Sequence, residues 1–267
     1  MELIGYLASI LIGVSLGLIG SGGSILTVPL LVYLFQVSPL LATTYSLAIV
    51  GLSSIAGVIS RLKQKLVDFK TILVFGAPSI VGVFLARKYL LPAIPEQMYG
   101  GPHFMLTKNH FIMLFFAMLM FIAALSMILG KNKEEEEDAL PVYGFTLMLV
   151  GLVEGLLTGI VGAGGGFLII PALVILAKLP MKKAIASSLV IISIKSLVGF
   201  SGDLLHTAVD WSFLFKIILL ATLGIITGNY LNKKMNGAKL KKGFGFFVLA
   251  MAFIIFIEQF FFSNLIK

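Results

Sequence analysis

The sequence predicts an all-α polytopic membrane protein. It is read as two inverted repeats of about five membrane segments each, with glycine-rich broken or re-entrant helices meeting near the midplane. Three observations carry this expectation. Hydrophobic residues make up 59% of the 267 positions and charged residues only 12%, about half the charged share of a soluble domain, which leaves no room for a sizeable soluble unit. A glycine-rich decapeptide, GSGGSILTVP at 20–29, returns as GAGGGFLIIP at 162–171. Equivalent loops of the two halves also carry opposite charge character, which orients them to opposite sides of a bilayer.

Apolar runs follow one another at roughly 3–19, 24–36, 42–60, 71–90 and 110–129, then at roughly 142–161, 166–177, 184–201, 212–231 and 243–262. Most reach the length of about 20 residues that a spanning helix needs. The first has no basic stretch before it, so it reads as a membrane helix rather than a cleaved signal peptide. The second run of each half is short and follows the glycines, as expected of a broken element.

The repetition keeps a constant offset of 142 residues without a gap. Gly13 falls on Gly155, Gly17 on Gly159, Pro29 on Pro171, Ala42 on Ala184 and Ser46 on Ser188. Ser54 falls on Ser196, Gly57 on Gly199, Asp68 on Asp210 and Gly82 on Gly224. Register held over this distance indicates an internal duplication. The halves divide as 1–130 and 141–267, joined by a charged cytoplasmic linker at 131–140. For Gly13, Gly17, Gly155 and Gly159 the favoured reading is close helix packing through small residues.

The loop RLKQKLVDFK at 61–70 is basic and is placed in the cytoplasm, whereas its counterpart DLLHTAVDW at 203–211 has two acids and no Lys or Arg and is placed outside. KLPMKK at 178–183 and NKKMNGAKLKK at 232–242 are basic and are placed inside. Five crossings per half invert the second copy and put both termini outside. The net charge of +8 is read as this orientation signal. Nucleic-acid binding is set aside, because no basic stripe interleaved with aromatics is present. The chain has no cysteine, hence no disulfide or thiol chemistry. No cofactor or metal is expected. His103 and His206 sit in outer loops without metal-ligand spacing. The long loop 91–109 is either an outer lid or an unstructured connector.

A glycine break at membrane depth is tolerable where it lines a cavity. A helix restarting after the break exposes unpaired N–H groups and the positive end of its dipole, and two such ends converging form an anion site. This selects Gly20, Ser21, Gly22, Gly23 and Ser24, with Gly162, Gly164, Gly165 and Gly166, as candidate substrate-binding positions. The helices that follow add hydroxyls: Thr44, Tyr45 and Ser46 in one, Ser187 and Ser188 in the other. For each hydroxyl, interhelical hydrogen bonding is the competing reading. Lys195 lies deep in its apolar run. It reads as a cation countering an anionic substrate or carrying a coupling proton, against a structural reading in which it snorkels to the outer surface. Glu154, an acid inside a span, reads as a proton site or as the partner of Lys195, against a position at the cytoplasmic interface.

Taken together, GLIGSGGSILTVPLL and GIVGAGGGFLIIPAL, with ATTYSLAIV and AIASSLVII after them, resemble the TauE/SafE sulfite exporter family across essentially the whole chain. The resemblance implies a prokaryotic inner (plasma) membrane permease moving small anionic, often sulfur-containing compounds such as sulfite or sulfoacetate, by secondary and proton-linked transport. The family's motif falls on Gly20, Gly22, Gly23 and Pro29, and on Gly162, Gly164, Gly165 and Pro171. Three other classes stay in view: an anion channel or uniporter (or a carrier of another small organic acid), a cation transporter using Glu154, and an intramembrane enzyme. The last lacks a nucleophile–base pair or paired carboxylates. The expected partners are a small anionic solute, protons and the bilayer, with oligomeric state open.

Overall fold

The computed structural model describes residues 2–100, 105–129, 144–204, 207–232 and 237–259. The linker at 131–140 and the histidines His103 and His206 lie outside the described residues. The described chain is almost wholly helical. In the first half come α1 (Glu2–Ile19), a 3-10 stretch (Gly20–Leu26), α2 (Thr27–Tyr33), α3 (Pro39–Lys63), α4 (Phe69–Ala93) and α5 (Lys108–Leu129). In the second come α6 (Gly144–Val161), α7 (Gly166–Ile175), α8 (Met181–Asp203), α9 (Trp211–Asn232) and α10 (Gly237–Ile257). Six of these helices, α3 to α6 with α8 and α9, are long and apolar enough to cross a membrane. Four shorter apolar helices complete the set. The chain is a multi-pass membrane protein.

Helix starts keep the sequence offset. α3 begins at Pro39 and α8 at Met181; α4 begins at Phe69 and α9 at Trp211. Three of these four starts have a local cause. Pro39 occupies the first turn of α3, where its missing N–H costs nothing. The Asp68 carboxylate accepts the N–H of Thr71 at 2.8 Å, and Asp210 accepts that of Phe213 at 3.0 Å, capping α4 and α9. Within α4 two stretches widen to π-turns, Ile72–Gly76 and Ala86–Leu90. Each holds the residue four before a proline, Val74 before Pro78 and Lys88 before Pro92. Those carbonyls lack the usual N–H donor, and the widened turns absorb the mismatch.

The 91–109 loop departs from the expected all-α character. It carries a two-stranded antiparallel hairpin, β1 (Gln97–Gly100) with β2 (Met105–Thr107). Strands of three and four residues are too short to leave an alternation signal in the sequence.

Packing between the halves is reciprocal. α1 lies against α9, α4 lies against α6, α3 crosses α8, and α5 lies against α10. Gly13 abuts the backbone of Ala221 and Gly224, while Gly155 abuts the backbone of Ser79, the position 142 before Ala221. Gly224 abuts the Ile10 carbonyl, and Gly82 the Leu152 carbonyl. A Cβ at any of the four would sit inside van der Waals contact with backbone, so the close-packing role expected for Gly13 and Gly155 is what the structure contains. The hydrogen bonds obey the same exchange. Tyr45 Oη accepts the N–H of Asp210 at 2.8 Å, and Ser187 Oγ accepts the N–H of Asp68 at 2.9 Å. The interior holds Ile25, Leu31, Leu47, Ile49, Met113, Phe116, Phe167 and Ile192, all under 3% exposed. Leu11, Leu73, Phe145 and Phe215, each above 65% exposed, lie on the outer faces of α1, α4, α6 and α9, where hydrocarbon is their natural solvent.

Candidate functional site

The two glycine segments differ. The first runs as the 3-10 stretch with Gly20 at φ +73°, whereas the second is a turn in which Gly162, Gly164 and Gly165 have φ of +70°, +68° and +76°. An L-residue with a side chain rarely adopts these angles. After the turn, α7 has only 10 residues, about 15 Å at the helical rise of 1.5 Å per residue and short of the ~30 Å hydrocarbon core. It packs against the first glycine segment.

Two buried charged clusters flank the second turn. At one end, Lys195 Nζ lies 2.5 Å from Glu154 Oε1 and 3.0 Å from Thr158 Oγ1. A third contact reaches Ser79 Oγ at 3.5 Å. Ser79 donates to the other carboxylate oxygen, Oε2, at 2.6 Å. Lys195 is 0% and Glu154 4% exposed. A Cβ on Gly165 would lie 2.6 Å from Nζ and collide with Glu154 Oε1, so the pair rests directly on that glycine. α6, α8 and α4 each contribute to the cluster. Lys195 and Glu154 are thus buried within the protein and paired with each other, where an unpaired charge would cost roughly several kcal/mol.

At the other end, Arg87 Nη1 donates to Asp203 Oδ2 at 2.8 Å and to Thr43 Oγ1 at 3.1 Å. Thr44 Oγ1 donates to the same Asp203 oxygen at 2.7 Å. A Cβ on Gly162 would collide with Arg87 Nη2 and lie 2.5 Å from Thr43 Cβ. Arg87 sits in the second π-turn of α4 and Asp203 at the last residue of α8. Sequence reasoning passed over both, because each lies at the end of an apolar run and reads as a loop flank. One signal was available: the positions 142 away, Asn229 and Arg61, are also polar, and Arg61 Nη2 stands 3.5 Å from Asn229 Oδ1.

The other candidates divide by whether their polar atoms are engaged. Tyr45 and Ser187 hold the starts of α9 and α4 by accepting backbone N–H groups, and Thr44 is committed to Asp203. Ser188 donates to the Ile185 carbonyl at 2.9 Å. Gly20, Gly23, Ser24 and Gly166 are buried; the side chain of Ser21 and the burial of Gly22 lie outside what is described. Ser46, Ser54 and Ser196 are each 0% exposed, and their hydroxyls have no hydrogen-bond partner among the described residues. Ser54 and Ser196 are equivalent at the 142 offset, and Ser196 Oγ faces Gly164, 3.2 Å from where a Cβ would stand. A hydroxyl left unpaired in the interior costs about 1–3 kcal/mol. No group of metal-ligating residues occurs among the described residues.

Residues 5–255 match the family described as sulfite exporter TauE/SafE. Curated relatives include a probable membrane transporter protein of Xylella fastidiosa strain 9a5c, 30% identical over 92% of this chain and 91% of its own. Another is the probable membrane transporter protein YunE of Bacillus subtilis, 27% identical over 82% of this chain and 84% of its own. A probable membrane transporter protein of Methanocaldococcus jannaschii is 28% identical over 85% of each chain. No solved structure matches the chain.

Proposed function

The chain belongs to the sulfite exporter TauE/SafE family of membrane transporters, and from that premise we propose that it carries small anionic, sulfur-containing compounds (sulfite, sulfoacetate or related sulfonates and oxoanions) by proton-coupled alternating access. The reciprocal contacts of Gly13 with Gly224 and Gly82 with Gly155 support two inverted repeats about a pseudo-two-fold axis in the membrane plane. The charge of the loops supports external termini. The 10-residue α7 supports a re-entrant element whose break lines the substrate path.

The observation that carries the reading is the Glu154–Lys195 pair on Gly165. The ammonium has close contacts to Glu154 and Thr158 and a longer one to Ser79. Protonation of Glu154 removes the countercharge and leaves Lys195 a buried cation beside the glycine turn, which an anion then neutralises. Deprotonation restores the pair and expels the anion. One proton and one anion thus share a single buried charge. At the 142 offset Glu154 corresponds to Ile12 and Lys195 to Ser53, so the coupling element belongs to the second half alone.

The test is transport in proteoliposomes with sulfite, sulfoacetate, thiosulfate and acetate, with and without an imposed pH gradient. Accumulation of a sulfur oxoanion or sulfonate that collapses with the gradient is expected. Downhill flux indifferent to the gradient would make the protein a channel or uniporter.

A further inference from the structure

The Arg87 side chain is fully enclosed, yet only one of its three nitrogens is engaged. Nη1 serves Asp203 and Thr43, while Nε and Nη2 have no hydrogen-bond partner among the described residues. These two form the side-on edge of the guanidinium, whose parallel N–H bonds match a pair of oxygens on one anion. Nη2 lies against Gly162, whose missing Cβ is what lets the guanidinium sit there. Buried donors without acceptors are among the most expensive features a fold can retain.

We propose that the Nε–Nη2 edge of Arg87, opposite Gly162, is a bidentate binding site for a monovalent oxoanion, the class that includes sulfonates, hydrogen sulfite and carboxylates. This rests on the anion-transport reading and adds a second contact point for the solute, at Gly162, apart from the Lys195 charge beside Gly165. Two oxygens on one central atom span the fork, whereas a halide offers one acceptor and fills half of it. Charge sets the valence. Asp203 already balances Arg87, so a bound anion leaves the cluster with a net charge of −1, and a dianion leaves −2 in a low-dielectric interior. Thr44 and Thr43 brace the cluster: Thr44 donates to Asp203, while Thr43 accepts from Nη1 and so holds the guanidinium plane with its free edge toward the turn.

Arg61 and Arg87 are the chain's two arginines, which makes a direct test possible. The full chain, labelled with 15N-arginine and held in lipid nanodiscs, gives two guanidinium Nε–H signals. The one retained in Arg61→Lys belongs to Arg87. Methanesulfonate is expected to shift the Arg87 signal saturably, with chloride and sulfate at equal ionic strength shifting it far less. Arg87→Lys keeps the charge and loses the fork, so its KM for methanesulfonate in proteoliposomes should rise at least tenfold. An Arg87 signal that stays still while the wild type carries oxoanions would overturn the fork and leave anion transport standing. Equal shifts with chloride would overturn the bidentate assignment. A wild type that moves none of these anions removes both readings. The spectra are taken on the wild type, so the result holds even where Arg87→Lys fails to fold.

Discussion

Lys195 and Glu154 form an ion pair that is wholly internal to the second half, 2.5 Å apart across α8 and α6, and the positions 142 residues earlier are Ser53 and Ile12. The packing of the two halves is reciprocal, and their charge is not.

Removing one partner of this pair strands the other charge, so Glu154→Ala and Lys195→Met should each lower stability by about 3–5 kcal/mol. The double variant should recover most of that loss. Thermal unfolding in detergent, run as a double-mutant cycle, measures the coupling; additive losses would contradict the pairing.

Glu154→Gln keeps the shape and removes the titrating group. Anion flux should then continue down a gradient but lose its dependence on pH difference, and accumulation should disappear. Proteoliposome uptake at matched and mismatched pH reads this, and pH-driven accumulation in the variant would take Glu154 out of the coupling step.

Gly165→Ala combines a left-handed backbone with a Cβ driven into the Glu154–Lys195 contact. The backbone conformation alone costs about 1–3 kcal/mol. Transport should fall at least tenfold, whereas Gly144→Ala, with open space around it, should leave flux within twofold.

Tyr45→Phe and Ser187→Ala each delete an acceptor for a backbone N–H at the start of a helix in the other half. Each should cost about 1 kcal/mol of stability with substrate affinity preserved. A selective rise in KM would show instead that the hydroxyl meets the solute.

A chain with no cysteine invites single-cysteine mapping. Gln64→Cys and Thr207→Cys lie in equivalent loops of the two halves. In intact cells an impermeant maleimide should label Thr207→Cys alone, and labelling of both or of Gln64→Cys alone would refute the inverted arrangement.

Much of the architecture was legible in the sequence because hydrophobic length and glycine placement are local signals. Gly13 and Gly155, read as close-packing positions, do sit against backbone of the other half. The site was only partly legible. Lys195 and Glu154 stood out as charges inside apolar runs, but the cradle from Ser79 and Thr158 depends on α4 meeting α6, which no local pattern encodes. Arg87 and Asp203 stayed hidden, since a charge at the end of an apolar run is ordinary until the fold encloses it. Tyr45 and Ser187, read as possible substrate contacts, hold helix starts across the two halves, a role visible only when positions 165 and 119 residues apart come together.

The exchange of helices between halves also fixes an order of events on the ribosome. α1 ends at Ile19 and its packing partner α9 begins at Trp211, so the face carrying Gly13 and Gly17 waits in the bilayer while nearly two hundred residues are made. At synthesis rates of about 5–20 residues per second, that wait lasts roughly 10 to 40 seconds. Through it, that face of α1 lacks the partner it has in the finished structure.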